Sequence, residues 1–290
     1  MYKFIISCLL FLPITCAWAS PNLATTQWLA KNLDDSNIVL IDMSDSLQYQ
    51  RFHIPGAIHL PYNSLTQSKK RVSLSIGHKN VIKLLGQIGI SHANHVVAYD
   101  DTGGLHATRL LWELEQLGHK KMSLLNGGLV KWIREGRKIA YQSPQIKAKH
   151  YKPAKTSDAL TATLQDVSPA SRHKDTLLLD VRSPEEYIGH PKRARSGHIP
   201  GALFWQWDQA LDIENGFVLH KQTQLKQEMS QLGISDPERP VIVYCRSGHR
   251  ATHTFFTLRQ LGFKNVKLYD GSMKEYERAT TQPITKGKQP

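Results

Sequence analysis

The sequence predicts an α/β protein built twice, as two tandem domains, each a mainly parallel central sheet with helices on both faces. Three observations carry this. Short apolar runs of strand length alternate with stretches of helical periodicity, the pattern of parallel strands joined by helical crossovers. Short motifs recur in the same order in both halves. The 290 residues, 40% hydrophobic, suffice for two ordinary domains with their own cores.

The motifs define the repeat. Ile38-Val39-Leu40-Ile41-Asp42 resembles Leu177-Leu178-Leu179-Asp180-Val181, a strand ending near an aspartate. His53-Ile54-Pro55-Gly56-Ala57 recurs identically as His198-Ile199-Pro200-Gly201-Ala202. Val96-Val97-Ala98-Tyr99-Asp100 parallels Val241-Ile242-Val243-Tyr244-Cys245, and Leu124-Leu125-Asn126-Gly127-Gly128 parallels Leu268-Tyr269-Asp270-Gly271-Ser272. His53 to His198 and Tyr99 to Tyr244 both span 145 positions, and Gly127 to Gly271 spans 144. The two copies are assigned to residues 20–143 and 161–290. Between them, residues 144–160 carry Pro144, Pro153 and several lysines, a linker composition.

Residues 1–19 read as a secretory signal: Lys3, an apolar run from Phe4 to Ile14, then Ala17-Trp18-Ala19 as a small-x-small cleavage site before Ser20. The run falls short of the ~20 residues that span a bilayer, so a periplasmic or secreted protein without a membrane anchor is expected. Cys8 and Cys16 leave with the signal. The mature chain keeps Cys245 alone, which excludes an internal disulfide. The net charge of +13 is spread over lysine-rich patches, with no basic helix carrying interleaved aromatics. A solvated basic surface is expected, not a nucleic-acid site.

Cys245 sits where the strand Val241–Tyr244 ends and a helix begins. Ala251, Phe255, Leu258 and Leu261 fall at helical spacing, and Gly262 marks the end. A helix N-terminus favours a thiolate, so Cys245 is the candidate nucleophile. The first copy has Asp100 there, in a loop one residue longer, and is expected to be catalytically silent and to wall the cleft. The second copy has seven extra residues between Tyr187 and His198, a basic insertion that includes Lys192, Arg193 and Arg195. It is either a tolerated surface loop or a cationic rim. No metal-ligand spacing or phosphate loop is evident, so neither metal nor cofactor is expected.

Together these residues resemble the rhodanese superfamily, specifically its tandem-domain sulfurtransferases. The motifs that carry the resemblance are Asp180-Val181-Arg182, both His-Ile-Pro-Gly-Ala segments, the Cys245 loop and the Asn126-Gly127-Gly128 and Asp270-Gly271-Ser272 turns. The resemblance implies two rhodanese-like domains and a persulfide on Cys245, formed from a small anionic sulfur donor and passed to a thiophile, either cyanide or a thiol, including a protein thiol. It implies donor contacts from Arg182, Arg246, Ser247, Gly248, His249 and Arg250. Backbone N–H groups from Arg246 to Ala251 would cradle the anionic sulfur, with Gly248 making the turn and the arginines supplying charge. The Cys-x4-Arg spacing is shorter than the Cys-x5-Arg of related phosphatases. The family's thiosulfate enzymes often have a second arginine four residues after the first; here that position is Glu186, and Arg193 or Arg195 could substitute. Cys-Arg-Ser-Gly mixes the thiosulfate-type Cys-Arg-Lys-Gly with the mercaptopyruvate-type Cys-Gly-Ser-Gly. Thiosulfate is the expected donor, with 3-mercaptopyruvate or a persulfide carrier as alternatives.

Overall fold

The computed structural model describes residues 22–169 and 172–290; the expected signal over residues 1–19 lies outside the described residues. The first half runs β1 (Asn22–Ala24), α1 (Thr26–Lys31), β2 (Ile38–Asp42), α2 (Ser46–Arg51), β3 (Ile58–His59), a 3-10 turn at Tyr62–Leu65, the hairpin β4 (Thr66–Lys69) and β5 (Val72–Ser75), α3 (His78–Gln87), β6 (His95–Tyr99), α4 (Ala107–Gln116), β7 (Met122–Leu125) and α5 (Gly128–Arg134). Its sheet is wholly parallel, in the order β1-β7-β6-β2-β3.

The second half repeats the plan: α6 (Leu164–Val167), β8 (Leu177–Asp180), α7 (Pro184–Ile188), β9 (Ala202–Phe204), a 3-10 turn at Trp207–Ala210, the short hairpin β10 (Leu211–Asp212) and β11 (Val218–Leu219), α8 (Gln222–Gln231), β12 (Val241–Tyr244), α9 (His249–Gln260), β13 (Val266–Leu268) and α10 (Ser272–Tyr276). Its parallel sheet has the order β13-β12-β8-β9. The counterpart of β1 shrinks to one bridge, Thr161 to Leu268.

Each sheet is covered on both faces, which is why its central strands are continuously apolar. Val96 and Ala98 enter one core of the first domain, Val97 and Tyr99 the other. Val241, Val243 and Cys245 face one core of the second domain, Ile242 and Tyr244 the opposite one. This is the period of two expected of a strand. Two cores cross the boundary between domains. Phe256 of α9 packs into the first domain's core and Trp112 of α4 into the second's.

The duplicated His-Ile-Pro-Gly-Ala segment is a structural staple. His53 stacks on Tyr49 with ring centroids 4.0 Å apart, and His198 on Tyr187 at 3.8 Å. The tyrosine hydroxyls donate to Ala57 O and Ala202 O. The Ile54 and Ile199 N–H groups donate to the hydroxyls of Tyr99 and Tyr244 at the ends of β6 and β12. His53 and His198 each bridge to the domain's last segment, His53 to Ala140 and His198 to Thr285. The motif ties the edge of each sheet to its centre and to its tail.

Two polar stretches behave differently from their composition. Residues 144–160 are not a free tether: Tyr151 is buried in the first domain's core against His119, and Lys149 and Ser157 N–H groups donate to Gly86 and Gln116 carbonyls. The basic insertion does not form a rim at the cleft through Arg195. That guanidinium donates to the carbonyls of Tyr276, Glu277, Ala279, Thr280 and Gln282, fastening the chain after α10. Arg193 lies exposed on the same loop. A one-letter reading sees only charge, whereas a guanidinium with five donors can satisfy a helix end.

Candidate active site

The loop from Cys245 to Gly248 connects β12 to α9, and Gly262 follows α9 in the left-handed region, φ +97°. Gly248 caps α9 at φ +78°, and a side chain there would collide with the Asp270 carboxylate, so the turn requires glycine. The loop hangs from the turn between β13 and α10. Ser272 Oγ accepts the N–H groups of Cys245 and Gly248, both at 3.1 Å, and donates to Tyr269 O at 2.7 Å. The N–H groups of Met273 and Lys274 donate to the carbonyls of Cys245 and Arg246. Loop carbonyls are thereby drawn away, while the first N–H groups of α9 have no carbonyl of their own helix to reach. Cys245 itself is fully buried.

The sister loop displays what this geometry does to an anion. Asp100, at the position of Cys245, accepts four backbone hydrogen bonds: Thr102 and Gly104 N–H on Oδ1, both at 2.8 Å, and His106 and Ala107 N–H on Oδ2 at 2.7 and 2.9 Å. A carboxylate fills that nest from within. Gly128 takes the place of Ser272 there, because a Cβ would strike the Asp100 carbonyl.

Around the Cys245 loop the charged groups are mostly paired. Arg250 makes a two-pronged ion pair with Glu186, at 2.6 and 3.0 Å. Burial works against the Glu186 carboxylate, yet the Arg250 guanidinium holds it below the usual range. Arg246 is half exposed, 3.7 Å from Glu277. Ser247 is half-buried on the loop. Arg182 is paired as well. Its guanidinium is buried on Asp180, at 2.6 and 2.9 Å, and on the Gly197 carbonyl at 2.7 Å, so these donors serve the scaffold. Strand-end geometry decides this, since Arg182 lies two residues beyond Asp180 and its head folds back onto that carboxylate.

The first domain builds the facing wall. His249 packs on Tyr62 at 4.0 Å between ring centroids and on His106 at 4.7 Å. Burial, with His106 and Arg109 nearby, lowers His249 to about 3, and burial raises Tyr62, so these two rings are uncharged at neutral pH. Ser272 stands in the sequence as part of a repeated turn, not as a site residue, and Tyr62 and His106 are not among the candidates. For Ser272 a signal existed, the replacement of Gly128 by serine between the two copies. For Tyr62 and His106 none did, because only docking of the domains brings them to the loop.

Fold and loop define a class: a duplicated parallel α/β protein with a buried cysteine in one strand–helix loop and, at the same place in the other, an aspartate held by four backbone N–H groups. A family model described as Rhodanese-like domain matches residues 25–135 and 163–279. A protein of Saccharopolyspora erythraea named "Putative thiosulfate sulfurtransferase" is 33% identical over 273 residues, 90% of this chain and 95% of that protein. The "Sulfur carrier protein TtuD" of Thermus thermophilus is 31% identical over 281 residues, 92% and 97% of the two chains. Among solved structures, YnjE superposes with TM-score 0.80 at 23% identity, over 92% of this chain and 68% of its own. A complex of EanB with hercynine superposes with TM-score 0.81 at 21% identity, over 92% and 70%. The chain belongs to the rhodanese family and carries two rhodanese-like domains.

Proposed function

We propose that the protein is a thiosulfate sulfurtransferase that moves a sulfane sulfur from thiosulfate to cyanide or a thiol through a persulfide on Cys245. The observation that carries this reading is the pair of sister loops: Asp100 holds its carboxylate on four backbone N–H groups where the other copy has Cys245. A loop of that kind suits an anionic sulfur, as preorganised donors suit an oxyanion. The relatives named as thiosulfate sulfurtransferase and sulfur carrier support it.

In the first half-reaction the Cys245 thiolate attacks the outer sulfur of thiosulfate. The sulfur–sulfur bond of the donor breaks, and sulfite leaves with its electron pair. In the second, cyanide or a thiolate attacks the outer sulfur of the persulfide, and the Cys245 thiolate is released with no net redox change in the protein. Arg246 and Arg250 supply the positive field, the amides of Arg246 and Ser247 and of His249 to Ala251 the cradle, the Gly248 N–H being held by Ser272, and His249 an uncharged wall. Arg182 acts at one remove, by holding Asp180.

Purified protein given thiosulfate and cyanide is expected to release thiocyanate, and Cys245→Ser to abolish it; turnover surviving that change rules the mechanism out. Ser247 in the loop favours 3-mercaptopyruvate as a second donor, so kcat/KM for the two donors side by side decides between them. Export belongs to the same proposal, with residues 1–19 as the cleaved signal and two domains, 20–143 and 161–290, joined by 144–160. N-terminal sequencing of the exported protein should begin at Ser20.

A further inference from the structure

We infer that Arg109, in the domain whose loop has no cysteine, is a positioning residue for the Cys245 loop, acting through Asp270. The inference rests on the reading of Cys245 as the nucleophile. Arg109 is fully buried in α4. Its Nη1 and Nη2 donate to the two Asp270 carboxylate oxygens at 2.6 and 3.2 Å, and Nε donates to Glu113 at 3.2 Å. Asp270 also accepts the Ser75 N–H at 2.8 Å, so two first-domain groups grip one second-domain carboxylate. Asp270 lies directly beneath Gly248. Two residues on, Ser272 takes the N–H groups of Cys245 and Gly248. The loop is suspended from a turn that the other domain holds in place.

The pseudosymmetry of the molecule isolates this contact. Thr108 and Thr252, 144 residues apart, meet across the interface at 3.3 Å. The same spacing relates Ser75 to Leu219, Asn126 to Asp270 and Arg109 to His253. Asn126 accepts the Leu219 N–H at 2.9 Å, mirroring Asp270 and Ser75. The mirror fails at the next step: His253 lies near the Gly103 carbonyl at 3.2 Å, and a guanidinium is present only on the side that serves the cysteine. Arg109 has two effects there. It orients the turn, and it neutralises a buried carboxylate that would otherwise lie beneath a loop holding anionic sulfur.

A second buried pair across the domains supplies the control. Arg259 binds Glu115 at 2.8 and 3.1 Å and the carbonyls of Phe263 and Lys264, at the end of α9 away from the loop. Arg109→Met and Arg259→Met should both lower the unfolding midpoint. Only Arg109→Met should slow thiocyanate formation, by roughly 10- to 100-fold in kcat, the scale of a small misplacement at a reacting group. Alkylation of Cys245 by iodoacetate, which needs no sulfur donor, should slow with it. Arg109→Lys, which keeps the charge but not the two-pronged grip, should fold and lose less. Asp270→Asn added to Arg109→Met should restore part of the rate by removing the stranded charge. Wild-type kcat and alkylation in both folded Arg109 variants, or an equal loss in Arg259→Met, overturns the inference. Should the wild type make no thiocyanate while alkylation still separates Arg109→Met from Arg259→Met, the positioning role stands and the donor assignment falls.

Discussion

Glu186 alters the chemistry around Cys245 by one charge. It is the N3 residue of α7 and closes a capping box with Ser183, and it neutralises Arg250 beside the loop. Glutamine at N3 preserves the capping box while removing the charge. Glu186→Gln is therefore expected to leave the fold intact and to strengthen the positive field on an anionic donor. The KM for thiosulfate should fall by roughly two- to fivefold, the equivalent of about 0.5–1 kcal/mol for a partly exposed ion pair, with the KM for cyanide moving less. Steady-state kinetics varying each substrate measures both. An unchanged or higher thiosulfate KM would place Arg250 outside the donor's reach.

The duplicated His-Ile-Pro-Gly-Ala segment belongs to the scale of elements, where its conspicuous sequence invites a catalytic reading that its packing refutes. His198 is buried, stacked on Tyr187 and within hydrogen-bond distance of the carbonyls of Tyr187 and Gln289. His198→Ala leaves a cavity and unpaired buried groups, a loss of about 2–4 kcal/mol. Urea unfolding should register that loss, while kcat and KM in native buffer stay near wild type. The same logic separates scaffold from site in the two loops. Asp100 and Cys245 follow equivalent strands, and the strand–helix unit forms around either, so the fold does not require the cysteine.

At the scale of the whole molecule the two domains form one unit through α4 and α9, with Phe256 and Trp112 exchanged between cores and the buried pairs Arg109–Asp270 and Arg259–Glu115 across the boundary. Burial lowers His119 to about 4, His249 to about 3 and His253 to about 4; the last two lie at this boundary. Unfolded, each titrates near 6.5. As pH falls from about 6.5 toward 4, the unfolded chain therefore binds more protons than the native one and stability is lost, at about 1.4 kcal/mol per pH unit for each group. Glu113 and Glu115, raised by burial, act in the opposite direction just above the ordinary carboxylate range. Denaturant unfolding at pH 7.5 and pH 5 should show the protein weaker at pH 5. His253→Gln should shrink that difference by about 2 kcal/mol; a pH-independent midpoint would contradict the burial of these rings.

Much of the architecture was legible because it rests on local rules applied twice. Period-two apolar runs such as Val241–Tyr244, helical spacing ending at Gly262, and a repeat spaced by 144 to 145 residues determine a duplicated parallel α/β fold with Cys245 at a strand–helix junction. Tertiary structure decided the destinations of long side chains and the joining of the halves. Arg182 turned to Asp180, Arg195 to the carbonyls after α10, and Tyr151 anchored the stretch between the halves in a core. A guanidinium reaches about as far as a helix is wide, so its partner is set by whatever carboxylate or carbonyl the fold brings within range. No spacing along the chain encodes that. Tyr62 and His106 came to His249, and Arg109 to Asp270, for the same reason: docking of the two domains, with α4 packed on α9, joins residues far apart in sequence.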